Sequence, residues 1–167
     1  MAVSIDLYRE LFRRWPSGVA VVTTVAEERP LGMVVSSLCS LSADPPLVMF
    51  SANLATRTYT YVEQIGIFAA SILREDQVTI FERFAGIDRS HDDDRFAGLT
   101  ATTAETGCQV FPDALAWLDC RVVARHPGPT YMIFVGEILA AGLGSAAEAP
   151  PLVYFRRQRR QLADLPS

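Results

Sequence analysis

The sequence predicts a mainly β protein, an antiparallel barrel with a few peripheral helices. Three observations predict it. About six segments carry the β-branched, alternating or continuously apolar patterns of strands. Short turn clusters join consecutive segments as hairpins. Helical periodicity is confined to the first half of the chain, so the order is not the alternation of an α/β sheet. With 167 residues and neither an internal repeat nor a low-complexity linker, residues 1–167 read as a single domain able to bury a core.

The elements follow in order. Leu7, Tyr8, Leu11, Phe12 and Trp15 fall at helical spacing, with Ser4 or Asp6 as the cap and Pro16, Ser17 and Gly18 as the stop. Val19–Val25 reads as a strand, residues 27–30 as a polar turn, and Met33–Ser40 as a second strand, so residues 19–40 form a hairpin. Asp44-Pro45-Pro46 is a stiff extended lead into a strand over Leu47–Ser51. Thr56–Gln64 reads as a short helix burying Tyr59 and Val62; Gly66 interrupts it, and Phe68–Leu73 is the next strand. Glu75 and Asp76 suit the first turn of a helix running to about Ala85, with Val78, Phe81 and Phe84 on its apolar face. Residues 86–114 are polar and irregular, with a helical turn near Asp94–Ala97. In Ala116–His126, Leu118, Cys120, Val122 and Ala124 alternate with Asp119, Arg121, Val123 and Arg125, the strongest strand pattern in the chain. Pro127-Gly128-Pro129 turns into an apolar strand over Tyr131–Ala141, and Leu152–Arg156 is the last strand.

Composition narrows the function. Half the residues are apolar and a fifth charged, the balance of a globular chain. A mean hydropathy of +0.19 hints at apolar surface held in a subunit interface. The net charge of −4 argues against nucleic acid as a partner. The basic cluster Arg156, Arg157, Arg159 and Arg160 is either a solvated tail or a contact to a ligand phosphate. The first residues carry no apolar run of signal-peptide length, and no stretch of ~18 apolar residues occurs, so neither export nor a membrane span is expected. Cys39, Cys108 and Cys120 suit buried thiols in a reducing cytoplasm, and His91 and His126 are too isolated to predict a metal site.

Several apparent motifs are set aside. Gly142-Leu143-Gly144 begins a GxGxxA match, but Pro150 and Pro151 leave no room for the helix a dinucleotide fingerprint needs, so it reads as a turn. His91 to Asp94 lacks the alternate spacing of a calcium loop and reads as a solvated loop with an aspartate cap. Asp119 and Glu137 read as outward residues that pair with Arg121 or Arg125.

What remains is Gly32–Thr58. Two short apolar runs lie close together, and each ends in small polar residues: Ser36 and Ser37 after the first, then Ser51, Asn53, Thr56, Arg57 and Thr58 after the second. Small hydroxyls at strand ends let a planar ligand approach backbone amides. Thr-Arg-Thr at a helix start can hold a phosphate. A flat polar ring with a phosphate tail is a flavin mononucleotide or the near half of a dinucleotide. Taken singly, the serines also suit local hydrogen bonds, and the threonines an ordinary helix cap.

The order of blocks resembles the short-chain flavin reductase family, the small components that supply reduced flavin to two-component monooxygenases. Phe12–Thr24 (FRRWPSGVAVVTT) is similar to the family's F-x-x-x-P-x-G-V-x-V-V-T, and Gly32–Leu38 (GMVVSSL) to its GMTVSSF. Ser42–Phe50 (SADPPLVMF) resembles the S-x-D-P-P-L-V block, and Asn53–Thr58 (NLATRT) the N-x-x-S-x-T flavin-phosphate segment. Glu82–Ala85, Asp94–Phe96, Ala114–Arg121 and Ile133–Ile138 resemble four later blocks.

The resemblance implies an antiparallel split β-barrel of the Greek-key, FMN-binding type. It implies a homodimer with flavin at the subunit interface, and an NAD(P)H:flavin oxidoreductase that reduces FMN or FAD. Hydride would pass from NADH or NADPH to flavin N5, and reduced flavin would diffuse to a partner monooxygenase. Carried over by position, Gly32, Met33, Val34, Val35, Ser36 and Ser37 would face the isoalloxazine and ribityl chain. Ser51, Asn53, Ala55, Thr56, Arg57 and Thr58 would hold the phosphate region, and Arg83 and Phe84 would close the far side. Two positions depart from the family. Val34 replaces the threonine of GMTVSS, and Tyr131 stands where a histidine lies near the nicotinamide. Tyr131 is therefore the nicotinamide-side candidate, or else a core-edge tyrosine. The alternative function is a flavin-binding protein on the same barrel that does not use NAD(P)H.

Overall fold

The chain is described by a computed structural model covering residues 2–27 and 29–162. It opens with α1 (Ile5–Phe12), whose first turn is capped where Ser4 Oγ accepts from Leu7 N at 3.2 Å. The strands β1 (Ser17–Gly18), β2 (Ala20–Ala26), β3 (Arg29–Val35), β4 (Cys39–Ala43) and β5 (Pro46–Asn53) follow. After them come α2 (Arg57–Ile65), β6 (Ile67–Ile72), α3 (Val78–Phe84) and the short pair β7 (Thr102–Thr103) and β8 (Gln109–Val110). The long strands β9 (Ala116–Pro127) and β10 (Tyr131–Leu143) precede β11 (Val153–Phe155) and β12 (Gln158–Arg160). None of these helices is long and apolar enough to cross a membrane.

One seven-stranded antiparallel sheet, ordered β3-β2-β6-β9-β10-β5-β4, carries the fold; β1-β11-β12 and β7-β8 form two small sheets. β3 and β4 are neighbours in sequence yet occupy opposite edges. Laid flat, six strand spacings would part those edges by about 29 Å. Residues 36–38 reach at most about 14 Å from Val35 to Cys39. The sheet therefore curls until its edges nearly meet, although among the described residues no ladder closes them.

The mainly β expectation holds, and several boundaries move. The strand expected over Met33–Ser40 breaks after Val35, because Val35 pairs with Ala20, where β2 begins. Past that point the chain has no partner on that side, and Cys39–Ala43 pairs with β5 instead. Arg29 and Pro30 lie in β3, not in the turn; Pro30 is tolerated because β3 is an edge strand. Glu28 of that expected turn lies outside the described residues. Asp44-Pro45 is the two-residue loop of the β4–β5 hairpin, since Ala43 pairs with Pro46. α3 starts at Val78 because Glu75 N is drawn to Pro150 O and Gln77 Oε1 accepts from Arg74 N.

Asp119 is the clearest correction. Glu137 does pair outward with Arg121 at 2.8 Å, but Asp119 is fully buried and accepts from Thr106 N at 2.7 Å and from the Thr106 hydroxyl. The outer face at Ala69 and Asp119 is covered by Cys108 and Val110. Asp119→Ala leaves the Thr106 donors unmatched and is expected to cost about 1–3 kcal/mol, read as a lower denaturant midpoint.

The main core lies inside the curl. Phe50 packs against Phe68 at 4.7 Å and Phe134 at 5.4 Å between ring centroids. A second cluster joins Phe81, Phe84, Phe111 and Leu152 beneath α3. α1 belongs to neither. It buries no residue, and Trp15 just beyond it is 72% exposed.

Cys108 and Cys120 are both buried, and burial raises their thiols from about 9 to about 11 and about 12. A raised folded-state value means the unfolded chain releases these protons first. Their contribution is complete below about pH 9 and is lost as pH climbs toward 11–12. All 15 basic Lys+Arg side chains are arginine, so no lysine titrates in that window. Denaturation midpoints are expected to be flat from pH 7 to 9 and to fall above it.

Candidate functional site

The curl leaves a cleft of about 1610 Å³ along the ends of β3, β5 and β10. That exceeds the ~300–1,000 Å³ of a pocket for one small ligand. Two planar ligands side by side match it better.

One wall is built from consecutive sequence. Gly32 is buried against Phe84, where a Cβ would come within 2.8 Å of the ring. Met33, Val34 and Val35 continue that wall, with Val35 turned into the core and Ser36 exposed on the surface of the cleft. Ser37 is committed to the frame: its hydroxyl accepts from Ser51 N at 3.0 Å and donates to Ser51 O at 3.2 Å. It ties the end of β3 to β5 across the seam.

The next stretch shapes a helix start. Asn53 Oδ1 accepts from Ala55 N at 2.9 Å, and Asn53 O accepts from Thr56 N at 3.0 Å. Thr56 then caps α2, its Oγ1 accepting from Tyr59 N at 3.2 Å. Thr58 is buried and Arg57 is exposed. The first turn of α2 holds no acidic residue, and Arg57 makes no ion pair or side-chain hydrogen bond among the described residues. A helix N-terminus with an unpaired guanidinium, opening on a cleft, favours an anion.

Tyr131 comes from far along the chain to the same place. It is the first residue of β10 and pairs directly with Asn53, while Leu54 N donates to Thr130 O at 3.1 Å. Its ring is 47% exposed on the cleft, beside the α2 approach and not across from it.

The cleft is also lined by residues the sequence reading had not assigned to the site. Tyr8, Phe12 and Trp15 line it, with Phe96 and the Asp92–Arg95 loop; Arg29, Tyr61 and Glu27 complete one end, where Tyr61 donates to Glu27 at 3.3 Å. The amphipathic pattern of α1 was visible, but not which side of the protein its face would meet. Phe84 lines the floor as a core residue, 4.8 Å from Phe96 and 5.7 Å from Phe111. Two assigned residues do not line the cleft. Ala55 sits in the exposed turn before α2, and Arg83 donates to Ala97 O at 2.6 Å and lies 3.8 Å from Asp88, holding the 88–97 loop. Among the described residues no group of histidine, cysteine and acidic side chains could hold a metal.

Residues 12–163 match the family model described as "Flavin reductase like domain". The chain belongs to that family. Within the flavin reductase family it is 34% identical over 157 residues to the "4-hydroxyphenylacetate 3-monooxygenase, reductase component" of Thermus thermophilus, across 94% of this chain and 96% of that protein. It is 32% identical over 167 residues to "FMN reductase (NADH) RutF 1" of Methylorubrum extorquens, across 99% of this chain and 81% of that one. Among solved structures, "Flavin reductase PheA2 in native state" superposes with a TM-score of 0.87 at 26% identity, covering 97% of this chain and all of that chain. The flavin reductase fold is thus shared over nearly the whole length.

Proposed function

We propose that the protein is an NAD(P)H:flavin oxidoreductase that reduces FMN or FAD and supplies the reduced flavin to a partner monooxygenase. The observation that carries this is Arg57, without an ion pair among the described residues, at the start of α2 on a cleft large enough for two planar ligands. The names of the family relatives, a monooxygenase reductase component and an FMN reductase using NADH, point the same way.

Bound flavin supplies the hydride acceptor, N5 of its ring; the chain supplies position. Arg57 and the first amides of α2 hold the phosphate. Ser36 and the backbone of residues 32–35 lie against the ring, with Gly32 keeping the wall thin. Amides at the strand end favour negative charge on the ring. Tyr131 takes the nicotinamide side. Ser51, Asn53 and Thr56 hold the α2 approach in shape, so they act by positioning.

The same reading makes the curled sheet a split barrel, open at the β3–β4 seam, and the chain a single domain. It also makes the active form a homodimer in the cytoplasm. The exposed apolar residues Leu139 and Leu143 on β10 agree with a subunit contact.

Steady-state oxidation of NADH and NADPH with added riboflavin, FMN or FAD tests the activity. Protein that holds flavin through dialysis yet turns over with neither nucleotide would sink it. Tyr131→Ala is expected to raise KM for the nicotinamide donor about fivefold, from the loss of ~1 kcal/mol of ring contact, and to move KM for flavin less.

A further inference from the structure

Residues 36–38 carry the chain from β3, on one edge of the sheet, to β4 on the other. β4 joins β5 with Cys39 opposite Met49. Carried two residues further, the same register sets Ser37 opposite Ser51. No backbone rung forms there among the described residues, because β4 begins only at Cys39. The Ser37 hydroxyl takes its place: Oγ accepts from Ser51 N at 3.0 Å and donates to Ser51 O at 3.2 Å. One proton and one lone pair make both bonds at once, so the side chain imitates a backbone N–H and C=O.

Little else crosses the seam here. Between residues 32–38 and 46–58, the one other side-chain hydrogen bond among the described residues runs from Thr56 Oγ1 to the Met33 thioether at 3.7 Å. A thioether is a weak acceptor, and the Thr56 proton is also offered to Asn53 O at 2.9 Å. Through the backbone ladders, β3 reaches β5 only by way of β2, β6, β9 and β10. Ser37 is the short path between them.

That path joins two parts of the cleft. In the proposed flavin site, residues 32–36 lie against the ring, while Arg57 and the first turn of α2 hold the phosphate. A ligand with both ring and phosphate spans the seam. The separation of its two holds therefore depends on how tightly the seam is drawn.

We propose that Ser37 is a positioning residue, a clasp that fixes the spacing between the ring wall and the phosphate hold, its hydroxyl engaged by Ser51 and not by the ligand. The inference rests on the cleft being a flavin site. Its consequence is selective. FMN is held at both ends and depends on the clasp. Riboflavin lacks the phosphate and follows the ring wall alone.

The test is fluorescence titration of the full chain with FMN and with riboflavin, beside steady-state turnover of both. Ser37→Ala is expected to weaken FMN binding about tenfold and riboflavin binding less than about twofold. Ser37→Thr keeps the hydroxyl and should recover FMN binding to within about twofold. In an Arg57→Ala background, Ser37→Ala should add nothing, because FMN is then held at one end only. Ser51 is only half-buried, so water can meet its freed amide and the fold should survive. If Ser37→Ala nevertheless unfolds, Ser37→Cys keeps the side-chain size with a weak donor and reads the same ratio. Equal losses for the two flavins, no loss for FMN, or the same loss with and without Arg57 overturns the clasp, as does a threonine variant that recovers nothing. The expected binding losses without turnover by either nicotinamide donor overturn the reductase reading and leave the clasp standing. No FMN binding to the unaltered protein overturns both.

Discussion

Phe134→Ala is expected to destabilise the protein by about 3–5 kcal/mol. Phe134 is fully buried near the start of β10, where it pairs across the sheet with Phe50. Its ring stacks on Phe50 and lies 6.1 Å from Tyr59 of α2, and Phe50 in turn meets Phe68 of β6. Truncation empties the point where three strands and a helix meet, and paired backbones on both sides limit collapse into the space. The loss is a large fraction of an ordinary domain stability of about 5–15 kcal/mol. Guanidinium denaturation reads it directly; a loss under about 1 kcal/mol would show that these rings do not form one core. The effect also reaches the cleft, since Tyr59 leans on Phe134 and lies in the first turn of α2.

Arg57→Ala is expected to raise KM for FMN by roughly 10- to 100-fold, the worth of a charge-assisted hydrogen bond of about 1.5–3 kcal/mol. The fold should not notice, because Arg57 is exposed and the helix start is held by Thr56. Riboflavin is the control. It lacks the phosphate, so its KM should be the same for both proteins. Equal losses for riboflavin and FMN would move the phosphate elsewhere and remove the main support for the site.

Much of this was legible in the residues, for physical reasons. β9 was visible because its alternation has no helical counterpart, and β10 because a long apolar run follows the Pro127-Gly128-Pro129 turn. The start of α2 was visible because Thr56 caps through its own side chain, and its end because Gly66 takes a φ of 76°. The wall from Gly32 to Thr58 is contiguous, so local chemistry described it. What stayed hidden depends on distant partners. The apolar run Met33–Ser40 continues past Val35; only the start of β2 decides where pairing stops. Asp119 alternates like an outward residue, and only the 104–110 segment, laid over that face, buries it. Tyr131 meets Asn53 through the β5–β10 register alone. Arg83 fits a family block, yet its side chain goes to the backbone of Ala97. The face of α1 is equally apolar whether it covers a core or a ligand.

The sheet order also has a consequence for how the chain is made. β3-β2-β6 and β5-β4 form two half-sheets, and the β9–β10 hairpin lies between them as the joining piece. Both halves emerge from the ribosome early, each with one edge still to be paired, β6 in one and β5 in the other. They must wait for the hairpin that joins them, which begins at Ala116 and is complete only at Leu143. Non-local pairing of this kind slows folding and leaves strand edges open to other chains. A fragment ending before Ala116 should therefore expose both edges and aggregate, and assembly of the full chain should be timed by the arrival of β9 and β10.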